Sequence, residues 1–164
     1  MITDLPTPEE YARSGVNLFN MAWAGATEPV HRVEQLSEVL DASGLGEAVE
    51  HYWRQVQPQL ANALSLAYQA MEVSVKGRIA EVSPYLLIAN QPKDYPKGSD
   101  ANDVSFMDLR TTEALDLIRL HNTVCPVRLD DDFATLFETA RKERNKFIHG
   151  GKPHTTIQPL DVAM

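Results

Sequence analysis

Between Leu60 and Val82, apolar side chains recur every three or four residues: Leu60, Leu64, Ala67, Met71, Val75, Ile79 and Val82. A stripe that keeps the helical period over such a length commits the middle of the chain to one long helix buried along one side. The alternating pattern of a strand is almost absent elsewhere, so the chain reads as all-α. Local punctuation divides the rest. Thr7-Pro8-Glu9-Glu10 supplies a capping threonine, a proline at the first helical position and acids in the first turn. A helix from about Pro8 to Gly25 would bury Tyr11, Leu18, Phe19, Ala22 and Trp23. Thr27-Glu28-Pro29 restarts or kinks it, and a second helix runs to about Ala42 with Val33, Leu36, Val39 and Leu40 inward. Ser43-Gly44-Leu45-Gly46 breaks the chain before the long helix, expected from about Glu47 to Ser83, with Pro58 as a kink or join.

Beyond Ser83-Pro84, the run Tyr85-Leu86-Leu87-Ile88 is apolar enough to tuck against the core, and Asn90 to Ser105 reads as a long polar loop. A fourth helix is predicted from Phe106 to Val124, with Leu109, Leu115, Ile118 and Leu120 apolar. A fifth follows Asp130-Asp131-Asp132 and stops at Gly150-Gly151. The expected architecture is an antiparallel helical bundle of about five helices. Residues 1–43 form an N-terminal helical extension, 44–151 the bundle and 152–164 an irregular tail.

At 164 residues, 43% hydrophobic and 23% charged, the chain can build one core of ordinary size. No apolar window is long enough to span a membrane, and the first residues lack the basic start and apolar stretch of a signal peptide. A cytoplasmic protein without membrane attachment is expected. Cys125 is the single cysteine, which excludes an internal disulfide framework and a cysteine-rich zinc site. A net charge of −8 argues against nucleic-acid binding over the whole surface. The charge is uneven, however. Residues 1–75 hold 10 acids and 3 bases, whereas Arg141–Lys152 holds five bases and one acid. That cluster either complements a helix C-terminus or contacts phosphate.

The last helix carries an anomaly. Its apolar stripe runs Phe133, Leu136, Phe137, Ala140, Phe147 and Ile148, and Arg144 falls near the middle of it. A guanidinium keeps its charge there, so it needs a carboxylate from a neighbouring helix, a route out to solvent, or an anionic ligand.

The string Glu143-Arg144-Asn145-Lys146-Phe147-Ile148-His149-Gly150 places a histidine five residues after that arginine and an asparagine directly behind it. It resembles the HEPN superfamily (higher eukaryotes and prokaryotes nucleotide-binding domain). Ribonuclease members of that superfamily carry Arg, four to six residues, then His near the end of a late helix in an all-α bundle. The resemblance runs from about Glu47 to Gly151 and takes in Lys76-Gly77-Arg78-Ile79-Ala80-Glu81 with Ser83-Pro84-Tyr85-Leu86. It implies a homodimer whose two motifs line one cleft, an RNA substrate, and a setting in toxin–antitoxin or antiviral defence with an antitoxin or other regulatory partner. One toxin class in the superfamily carries a modified tyrosine two residues after the histidine. Gly151 stands there, which argues against that form of control.

Metal-independent RNA cleavage needs a proton acceptor for the 2′-OH, a proton donor for the leaving 5′-oxygen and a cation for the phosphate. On this reading His149 transfers protons, Arg144 clamps the phosphate, and Asn145 orients His149 or the substrate. Lys142 and Lys146 are candidates for backbone phosphate contacts. Glu72 and Lys76, four residues apart on the long helix, either pair with each other or reach Arg144 or RNA. On a continuous helix Arg144 and His149 lie about 140° apart, so either the helix opens at His149 or a second copy completes the site. The three aspartates at 130–132 read as capping residues rather than metal ligands, and no cofactor motif is present. The alternative function is a non-catalytic module that binds a nucleotide or a partner protein through Arg144.

Overall fold

The computed structural model describes residues 1–39, 42–88, 93, 95–99 and 102–150, with side chains except at 39–45 and 148–150. Four α-helices dominate the described residues: α1 (Pro8–Val39), α2 (Ala42–Val82), α3 (Ala114–Val124) and α4 (Asp131–Gly150). Strand is confined to β1 (Ile2–Thr3) and β2 (Val104–Ser105), which pair in parallel, with an isolated bridge between Ile88 and Thr111. Single 3-10 turns cover Pro84–Leu87 and Phe106–Asp108. The chain is therefore all-α in class.

The helix starts follow from side chains that satisfy orphan amides. Thr7 and Glu10 form a reciprocal capping box at the head of α1. The Glu10 amide donates to Thr7 Oγ1 at 3.2 Å and the Thr7 amide to Glu10 Oε2 at 2.8 Å. At α4 the Phe133 amide donates to Asp130 Oδ1 at 2.7 Å, so the first aspartate of the triplet is a cap, as its position suggested.

The expected first and second helices are one. α1 passes through Pro29, whose ring removes the amide that would have bonded the Gly25 carbonyl. Gln59 Nε2 donates to that carbonyl at 3.2 Å instead, so the break costs no unsatisfied buried acceptor. α2 likewise begins at Ala42, running through the predicted Ser43–Gly46 break and through Pro58. The fourth helix starts later than expected, because Phe106–Asp108 is a separate turn and α3 begins only at Ala114.

The chain divides into two compact units, Met1–Gly15 with Met71–Leu136 and Val16–Ala70 with Phe137–Met164. In the first, Val75 and Ile79 of α2 pack with Leu87, Phe106, Leu109 and Leu117. Leu117 takes the core position of α3, with His121 buried on the same face, while Leu115 is exposed. In the second, Val56, Leu60 and Leu64 form a cluster covered by Tyr52, Trp53 and Phe147, and Tyr68 stacks beside Phe137. There α4 runs antiparallel to α2, since Phe137 meets Tyr68 and the later Phe147 meets the earlier leucines.

The stripe on α2 is buried from Leu60 to Ile79, but Val82 is half exposed at the helix end. On α1 the buried face is Ala22, Ala26 and Pro29, not the aromatic residues. Phe19 is 44% and Trp23 60% exposed, contrary to the expectation that both point inward. Small residues win that face because the helices approach closely: a Cβ on Gly25 would lie 3.2 Å from Ala63 Cβ. Val39 and Leu40, expected inward, lie outside the described residues or side chains, as does the tail 152–164.

The tightest approach is in the first unit. A Cβ on Gly77 would stand 2.9 Å from Tyr11 Cβ, the root of the side chain, which cannot swing away. Gly77→Ala is expected to lower stability by about 1–2 kcal/mol, because overpacking exceeds the gain in helix propensity. Thermal unfolding of the two proteins measures it, and an unchanged or raised midpoint would contradict the close packing.

Candidate functional site

α4 places its basic cluster on a helix anchored at one end by the Asp130 cap and against α2 by the buried Phe137 and by Phe147. Most of the cluster is neutralised locally. Arg141 forms a two-pronged pair with Glu138, Nε to Oε2 at 2.9 Å and Nη2 to Oε1 at 2.8 Å, and Lys142 lies 3.5 Å from the same carboxylate. Lys146 pairs with Glu143. The two lysines expected to meet phosphate therefore each hold an acid of their own helix, three or four residues back.

Arg144 is different. It is partly buried on the apolar face, as its place in the stripe requires, and its guanidinium carbon sits 5.6 Å from the centre of the Tyr68 ring. Nη1 donates to Asn145 Oδ1 at 3.3 Å. Nε is sealed from solvent and donates to nothing. Among the described residues no carboxylate pairs with this arginine. The aromatic face is worth roughly 0.5–2 kcal/mol to a cation. An unpaired buried donor costs about 1–3 kcal/mol, so the guanidinium is held but not satisfied.

The amide oxygen of Asn145 accepts from Arg144 Nη1. His149 lies on α4, which continues to Gly150, so the backbone does not open at the histidine. Its imidazole lies outside the described side chains. Glu72 and Lys76 belong to the first unit, where Lys76 Nζ donates to Glu72 Oε1 at 2.7 Å. No group of three or more histidines, cysteines or carboxylates that could hold a metal occurs among the described residues.

Sequence reasoning overlooked Tyr68. Its place four residues after Leu64 and three before Met71 marks it as core, and it is 1% exposed. Nothing in one dimension indicates that a cation lies over its ring. Comparison with protein families, with curated proteins and with solved structures yields no match.

The two-pronged pair with Arg141 holds the Glu138 carboxyl at about 2, well below its ordinary 4.5, with Lys142 adding to the effect. Because the folded value is depressed, the stabilisation from this pair is present above the ordinary value and is lost as pH falls toward 2. A carboxyl-detected NMR titration should place Glu138 near that limit. Arg141→Ala should return it to the usual carboxylate range, and an unchanged midpoint in the variant would contradict the assigned cause.

Proposed function

We propose that this protein is a metal-independent endoribonuclease of HEPN type that cleaves RNA as a homodimer. The observation that carries the reading is Arg144: a guanidinium on an apolar helix face, with a buried Nε that donates to nothing and no carboxylate partner among the described residues. An arginine serving only the fold would be paired inside the chain, as Arg141 is. Arg144 stands five residues before His149 and directly before Asn145, the arrangement of the HEPN ribonuclease motif.

On this reading Arg144 binds the non-bridging oxygens of the scissile phosphate and stabilises the charge that builds on them. His149 moves the protons. Its imidazole takes the proton of the 2′-OH, the 2′-oxygen bonds to phosphorus, the bond from phosphorus to the 5′-oxygen breaks, and a His149 imidazolium gives that leaving oxygen its proton. The products are a 2′,3′-cyclic phosphate and a 5′-hydroxyl. Because α4 stays helical to Gly150, positions 144 and 149 of its backbone lie about 140° apart around the helix axis. A second copy is then needed to bring an arginine and a histidine to one phosphate. The setting is cytoplasmic defence or toxin–antitoxin control, with a protein partner restraining the activity.

The same unpaired donor also suits a non-catalytic module that binds a nucleotide or a partner's carboxylate. One experiment separates the readings. Purified protein should cleave a labelled RNA pool in excess EDTA and leave cyclic phosphate ends, and folded Arg144→Ala and His149→Ala should each lose about 100-fold or more in rate. Cleavage that survives both substitutions sinks the assignment. Phosphate-dependent binding through Arg144 without cleavage favours the binding module.

Sedimentation at micromolar concentration should give about twice the 18.3 kDa chain mass. A strictly monomeric enzyme that still cleaves would rule out the shared site.

A further inference from the structure

We propose that Tyr68 is the positioning residue for Arg144, holding the guanidinium by its aromatic face so that charge and hydrogen-bond donors stay available to an incoming phosphate oxyanion. This rests on the reading of Arg144 as an anion clamp.

On α4 the cations Arg141, Lys142 and Lys146 are each held by a glutamate of the same helix. A carboxylate orients a cation but also neutralises it and occupies its donors, and it competes with any phosphate that arrives. Arg144 is oriented without that competition. Its guanidinium carbon lies 5.6 Å from the Tyr68 ring centre, and the electron-rich face attracts the cation while accepting no N–H in its plane. Asn145 Oδ1 accepts from Nη1 alone, at 3.3 Å. Nε is sealed from solvent and has no acceptor, so Nη2, which neither Asn145 nor a carboxylate occupies among the described residues, is the donor left to face a phosphate oxygen.

Tyr68 is suited to hold a geometry. It is 1% exposed, on a helix that runs unbroken for 41 residues, and the Phe137 ring stands against it at 5.3 Å with the planes tilted by 47°. The ring cannot follow the arginine, so the arginine settles on the ring. The contact is between the guanidinium and the π face of the ring.

The test uses the full chain, with inorganic phosphate and a 2′-deoxy oligonucleotide as non-cleavable probes and single-turnover RNA cleavage as the activity. Tyr68→Phe should bind both probes within about twofold of wild type. Tyr68→Leu should weaken both about tenfold, the loss expected when a cation–aromatic contact disappears. Fluorinated phenylalanines at position 68 keep ring shape and packing while draining charge from the face. Affinity should fall stepwise with the number of fluorines at an unchanged melting temperature. That readout stays informative even if the leucine variant fails to fold.

Unchanged affinity across the fluorinated series overturns the proposal. An equal loss in Tyr68→Phe and Tyr68→Leu also overturns it, because the hydroxyl would then be the acting group. If Arg144→Ala binds both probes like wild type, the underlying reading of Arg144 fails instead. Loss in Arg144→Ala with no effect at position 68 leaves the clamp standing and removes only the role of Tyr68.

Discussion

One apolar stripe along α2 supplies the cores of both units: Leu60 and Leu64 in one, Val75 and Ile79 in the other. A helix buried along so much of its length must be approached closely by its neighbours, and the chain meets that requirement with small residues. Gly77 admits Tyr11, and Gly25 lies against Ala63. The same demand explains Gln59, which reaches across to the Gly25 carbonyl left unbonded by Pro29. With that acceptor satisfied, α1 continues through its proline, where an isolated chain would break.

The candidate site follows from a second constraint, the placing of charge on a helix that also has to pack. α4 carries four bases between Arg141 and Lys146, and glutamates of the same helix pair with three of them. Glu138 takes Arg141 and Lys142, and Glu143 takes Lys146. Arg144 falls on the packed face, beyond the reach of this local pairing, and rests on Tyr68. The difference between Arg141 and Arg144 is therefore one of chemistry. One is paired with a carboxylate, and the other lies beside an aromatic ring with a buried Nε that has no acceptor among the described residues.

Much of the fold was legible along the chain because its signals are local. The Thr7 cap, the Asp130 cap and the period of α2 each need only a few neighbouring residues, and each stands where expected. The errors share a cause too. Pro29 read as a restart or a kink and Ser43–Gly46 as a break, yet α1 and α2 run through them; at Pro29 the freed carbonyl is satisfied from another helix, which local sequence does not reveal. Phe19 and Trp23 read as core because they are large, yet the inner face of α1 admits only small side chains such as Ala22 and Ala26. Of the site, the position of Arg144 on an apolar face was legible, and its neighbour Tyr68 was not.

The sequence by itself determined that this chain is helical, where α1 and α4 begin, and that one arginine of the last helix falls among apolar residues. Those facts depend on spacing and on hydrogen bonds within a turn. Only the tertiary structure decided what that arginine meets. Tyr68 and Arg144 stand 76 positions apart in the chain, and no periodicity links two helices. Their contact follows from how α4 docks on α2, with Phe137 against Tyr68 and Phe147 against the Leu60–Leu64 cluster. That docking sets a charge on an apolar face beside an aromatic ring.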